Sequence, residues 1–138
     1  MGIKQISVFL ENTTGRLSEV TKTLAGAEIN LRAISIADTA DFGILRLIVD
    51  KTDKAIDALN TAGFTTRQTD VVAVEIDDVP GSLAKLMELF RQSQVNIEYL
   101  YASLEGKAGK AVVIFKLEDI TKGQKILADN NLKMAESF

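Results

Sequence analysis

The chain has 138 residues, 46% of them hydrophobic and 25% charged, with a formal net charge of −3, no cysteine and no histidine. That composition supports a folded core and excludes disulfides, thiolate metal sites and the commonest general base. Basic residues are scattered and no apolar run approaches a membrane span, so neither a nucleic-acid nor a membrane partner is expected, and no cofactor.

Met1, Gly2, Ile3 and Lys4 pass straight into an alternating pattern without a signal-peptide core, so a cytoplasmic location is expected. Ile6, Val8 and Leu10 alternate with Gln5, Ser7 and Phe9, which predicts a strand. Leu17, Val20, Leu24 and Ala27 follow at helical spacing. A second strand is predicted over 31–37, a polar turn over 38–42 and a third strand over 43–49. Ala55, Ile56, Leu59 and Ala62 make a shorter helix ended by Gly63, and residues 64–69, rich in Thr, read as an edge strand.

The same order then repeats. Shifted by 66, Ile6, Val8 and Leu10 fall on Val72, Val74 and Ile76, Gly15 on Gly81, Leu17 on Leu83, Leu24 on Phe90 and Asn30 on Asn96. Past the next hairpin the shift is 68, so that Leu59 falls on Leu127 and Gly63 on Asn131. Gly and Asn are the two residues that best tolerate the left-handed position after a helix. The fold expected is α+β: a ferredoxin-like βαββαβ module repeated twice, each antiparallel sheet carrying its helices on one face. The domains fall at 1–69 and 70–138, with almost no linker, which argues for a fixed relation between them.

Two turns between a first strand and a first helix stand out: Asn12, Thr13, Thr14, Gly15, Arg16 and Leu17, and their counterparts Asp78, Val79, Pro80, Gly81, Ser82 and Leu83. Asn12 and Asp78 are good cap residues three places ahead of a glycine. A helix N-terminus with a glycine offers unpaired N–H groups and room for a carboxylate. The alternative is structural: the glycines allow tight strand-to-helix packing, and Pro80 preorganises a first turn. Asn30 and Asn96, followed by Leu31 and Ile97, lie 18 residues after Asn12 and Asp78. An amide both donates and accepts, which suits the ammonium and carboxylate of an amino acid. It also suits a plain turn. Both motifs are expected at the same end of each module.

The Asn12–Leu17 turn with Ile29, Asn30 and Leu31, and the Asp78–Leu83 turn with Val95, Asn96 and Ile97, resemble the signature of the ACT family: a D/N-x-x-G-x-L turn, then G-I/V-N-I leading into the second strand. The resemblance covers the whole chain as two consecutive domains. It implies a free amino acid as ligand, bound at an interface between two modules, with Asn12, Asn30, Asp78 and Asn96 contacting it. It further implies a homodimer and a regulated enzyme as partners. Serine-binding members carry a histidine two positions before the loop asparagine. Leu10 and Ile76 stand there in this chain, which leaves the ligand's identity open.

The reading that follows is a non-enzymatic regulatory protein that senses an amino acid and modulates a partner enzyme or pathway. The competing reading is an oligomerisation module that binds nothing and docks on an enzyme subunit. Catalysis is disfavoured, since no pair of carboxylates recurs at one spacing in both copies.

Overall fold

A computed structural model describes residues 2–38, 41–104 and 106–135. The chain divides into two compact units: Lys4–Thr69, and the chain from Asp70 onward together with Ile3. Each unit is a βαββαβ module. The first contains β1 (Ile3–Glu11, all but its first residue), α1 (Arg16–Gly26), β2 (Leu31–Asp38), β3 (Phe42–Val49) and α2 (Thr52–Thr61). The second contains α3 (Ser82–Gln92), β5 (Ile97–Ala102), β6 (Lys110–Leu117), α4 (Ile120–Asp129) and the short β7 (Met134–Ala135). β4 (Thr65–Asp77) is one unbroken strand, and the boundary between the units falls within it. The edge strand expected at 64–69 and the next copy's first strand are therefore one element. The turn expected at 38–42 falls partly outside the described residues.

Alternation decides the sheet faces. In the first unit Ile6, Val8 and Leu10 of β1 share one face with Leu45, Leu47 and Val49 of β3. Both helices bury their stripes against that face, α1 with Val20 and Leu24, α2 with Ala55 and Leu59. The second unit repeats the plan with Val72 and Val74 of β4, Val113, Phe115 and Leu117 of β6, Leu86 and Phe90 of α3, and Leu127 of α4. Phe90 meets Phe115 edge to face, centroids 5.5 Å apart, a geometry in which a ring's positive edge faces a negative π-cloud. Leu17 and Leu83, expected on the buried stripes, instead lie about 40% and 39% exposed at the start of each helix.

The pairings of β3 with β1 and β2, and of β6 with β4 and β5, are all antiparallel. β3 lies between β1 and β2, with Glu11 opposite Phe42 and Leu31 opposite Val49. β6 lies likewise between β4 and β5, with Asp77 opposite Lys110 and Ile97 opposite Leu117.

All four helices stop in the same way. The N–H two places past each C-cap (Ile29, Phe64, Val95, Leu132) donates to the carbonyl of Leu24, Leu59, Phe90 or Leu127, and the residue before it bonds one turn back. This is the Schellman arrangement, which needs a left-handed residue at C′. Gly63 and Asn131 fill that position at φ 91° and 57°, as their alignment predicts. In the first helix of each unit the position holds Glu28 (φ 58°) and Gln94 (φ 57°). Neither has a side chain that relieves the clash, which costs about 1–2 kcal/mol for an ordinary L-residue. Gln94→Gly should therefore stabilise the protein by about 0.5–1 kcal/mol after glycine's own entropy loss. Urea denaturation at unchanged m-value checks this.

Candidate functional site

Each strand-to-helix turn is held by backbone bonds to its own hairpin. Asn12 N–H donates to the Asp41 carbonyl and Asp78 N–H to the Gly109 carbonyl, both at 2.9 Å. The chain then reaches the N-cap, which is the glycine itself: Gly15 at φ 92° and Gly81 at φ 90°. Neither helix has a side-chain cap, so Asn12 and Asp78 do not do the capping expected of them. They sit three residues too early. Pro80 precedes the N-cap and is not in the first turn, which begins at Ser82.

A methyl group added at Gly15 or Gly81 would meet nothing within 4 Å. Tight packing therefore does not explain these glycines; the left-handed backbone does. Among the described residues, the N–H groups of Leu17 and Ser18, and of Leu83 and Ala84, have no hydrogen-bond acceptor. Asn12, Thr13, Thr14, Asp78 and Val79 are exposed around them. Open donors at the positive end of a helix are suited to an anion.

The asparagines lie elsewhere. Asn30 donates its N–H to Asp50 Oδ1 at 3.0 Å and accepts from the Asp50 N–H at 3.1 Å. Asn96 accepts from the Glu118 N–H at 3.0 Å. Both side chains belong to exposed residues beside the half-buried Leu31 and Ile97. Asp50 follows the last residue of β3, whereas Asp41 precedes its first. β2 pairs antiparallel to β3, as β1 does, so β2 starts at the end of the unit where β1 started. The glycine turn and the asparagine of one unit are thus separated by the length of β3, seven residue steps or about 24 Å. The second unit repeats this across β6. The expectation that both motifs share one end of a module is overturned: a crossover helix returns the chain to the opposite end before the parallel-running strand begins.

A groove that the sequence did not reveal lies in the second unit, about 540 Å³ in volume. Ile76, Leu86, Leu89 and Leu132 give it an apolar floor. Asp77 and Lys110 form an ion pair on it, and the Lys110 ammonium holds the Asp77 carboxyl below the usual range, chiefly by hydrogen bonding. Lys85 adds to that effect through space. Asp77 in turn raises the Lys110 ammonium above its ordinary value. These charged residues are scattered in sequence and meet only through tertiary folding.

A family model for the ACT domain pair matches residues 1–137. The chain belongs to that family. This ACT domain pair is 41% identical to protein BT0572 from Bacteroides thetaiotaomicron, with a TM-score of 0.92, 98% of this chain and 92% of that one being covered. It shares its fold with the regulatory subunit of aspartate kinase from Thermus thermophilus in its ligand-free form (TM-score 0.70, 19% identity, 94% and 93% covered). The regulatory subunit of aspartate kinase from Thermus flavus is similar at a TM-score of 0.64 and 18% identity, 94% and 92% covered. No curated protein is significantly similar in sequence.

The turn geometry sets a stability test. Gly81→Ala meets no steric obstacle, so its cost is the backbone alone, about 1–2 kcal/mol. Gly81→Asn should cost less, since asparagine visits this region more readily. Thermal unfolding of both variants checks the order; equal losses would point to something other than φ.

Proposed function

We propose that this ACT domain pair is a non-catalytic regulatory protein that binds a small free amino acid and passes its occupancy to a partner enzyme. The observation that carries the reading is the duplicated turn. Both units keep a left-handed glycine ahead of a helix, with open space at the glycine and uncapped first-turn N–H groups. Membership of the ACT family, and a fold shared with a protein described as a regulatory subunit of aspartate kinase, support regulation as the output.

Each unit acts as one ACT domain, 1–69 and 70–138. The distance along β3 and β6 requires that any site using a turn and an asparagine draw them from different modules. We therefore assign Asn12–Leu17 and Asp78–Leu83 of one chain, with Asn30, Leu31, Asn96 and Ile97 of a second copy, to a homodimer. Exposed Phe42 (58%) and Ile36 (52%) supply apolar surface for an interface. Among the described residues no helix is long and apolar enough to cross a membrane, in keeping with a cytoplasmic sensor.

Occupancy that differs between two arrangements of the modules would shift their populations. The test is a thermal-shift panel with each proteinogenic amino acid. An amino acid at a hundred times its dissociation constant should add about 2.7 kcal/mol of stability. Silence across the whole panel, with Asn30→Ala and Asn96→Ala indistinguishable from the parent, would favour the ligand-free docking module.

A further inference from the structure

The two copies treat equivalent space differently. In the first unit, Arg16 at the start of α1 lies over Phe64, its guanidinium carbon 4.8 Å from the ring centroid. The same guanidinium pairs with Glu19 at 2.6 Å, and Arg16 Nε is buried. At the equivalent positions the second unit has Ser82 for Arg16, Lys85 for Glu19 and Leu132 for Phe64. Plug, counter-ion and stacking surface are all lost together, and Ser82, Lys85 and Leu132 all line the open groove.

The charges left there are specific. Among the described residues Lys85 has no salt-bridge partner. Glu75, whose side chain is only 18% exposed, faces Lys133 at 3.7 Å. That is an ion pair too long for a hydrogen bond, and Glu75 also acts on Lys110 through space. An unpaired ammonium and a carboxylate above an aliphatic floor complement a zwitterion with an aliphatic side chain.

We propose that the second unit binds an aliphatic L-amino acid in this groove, its carboxylate on Lys85, its ammonium on Glu75 and its side chain on Ile76, Leu89 and Leu132. The first unit is closed to the same ligand by its own Arg16. The ligand class rests on the amino-acid reading above; the location does not, since Asn96 is at the far end of β6.

Calorimetric titration of the whole protein with L-leucine tests this, alongside 4-methylpentanoate (no ammonium) and 3-methylbutan-1-amine (no carboxylate). L-leucine should bind tighter than either analogue. The triple variant Ser82→Arg, Lys85→Glu, Leu132→Phe rebuilds the first unit's plug and should weaken L-leucine at least about tenfold, or 1.4 kcal/mol, without loss of thermal stability. Lys85→Glu alone, at an exposed position, should weaken L-leucine and 4-methylpentanoate and strengthen the amine, which keeps the test decisive if the triple variant misfolds. L-leucine binding unchanged by both variants overturns the groove while leaving amino-acid sensing intact. No L-leucine binding up to about 10 mM, well above typical metabolite affinities, also overturns it; sensing falls only if the whole amino-acid panel is silent too.

Discussion

The antiparallel seating of β3 between β1 and β2, and of β6 between β4 and β5, constrains everything else in these modules. It fixes the face on which alternate side chains gather, and so where the helices must pack. It also fixes direction. With both neighbours antiparallel to the middle strand, the first and second strands of a module run the same way, and the helix between them carries the chain back the full length of the sheet. The glycine turn is tied to one end of β3 by the Asn12–Asp41 bond, and Asn30 to the other by two bonds with Asp50. The two kinds of residue therefore stand at opposite ends of their own module.

Duplication supplied two copies of that plan, and their helix ends show how little of it can vary. All four helices close with the same pair of backbone bonds, even where the left-handed residue is glutamate or glutamine. The residue after it is apolar each time, because it drops into the core beside the last helical turn. Phe64 and Leu132 are placed in this way. Once that backbone is set, the side chains there and at the start of the paired helix are free to diverge. In the first unit a guanidinium stacks on an aromatic ring; in the second a serine and a leucine stand at those positions and line a groove.

Much of the fold was legible because strand and helix periods differ so plainly, and because a 66-residue self-match is hard to produce by chance at Gly15/Gly81 and Asn30/Asn96 together. The left-handed role of Gly63 and Asn131 was legible too. What failed, failed for local reasons. Asn12 and Asp78 have the chemistry of caps but not the position, since the turn spends three more residues before its left-handed glycine. Glu28 and Gln94 carry no compositional mark of positive φ. The placing of both motifs at one end overlooked the direction of β2. The groove was out of reach of motif reading, because Glu75, Lys85 and Lys110 come from three separate elements and Leu132 from the turn after α4. The exchange of Arg16, Glu19 and Phe64 for Ser82, Lys85 and Leu132 lies within the same 66- and 68-residue self-match.

Amide-resolved NMR of the isotope-labelled protein, titrated with the amino acid that stabilises it most, tests the central claim that this ACT domain pair is a sensor built on the starts of its first helices. Saturable shifts should appear at one or both helix starts, in the N–H groups of Leu17 and Ser18 or of Leu83 and Ala84. Shifts that are absent at millimolar ligand, or that leave the starts of both α1 and α3 untouched while moving other surfaces, would contradict it.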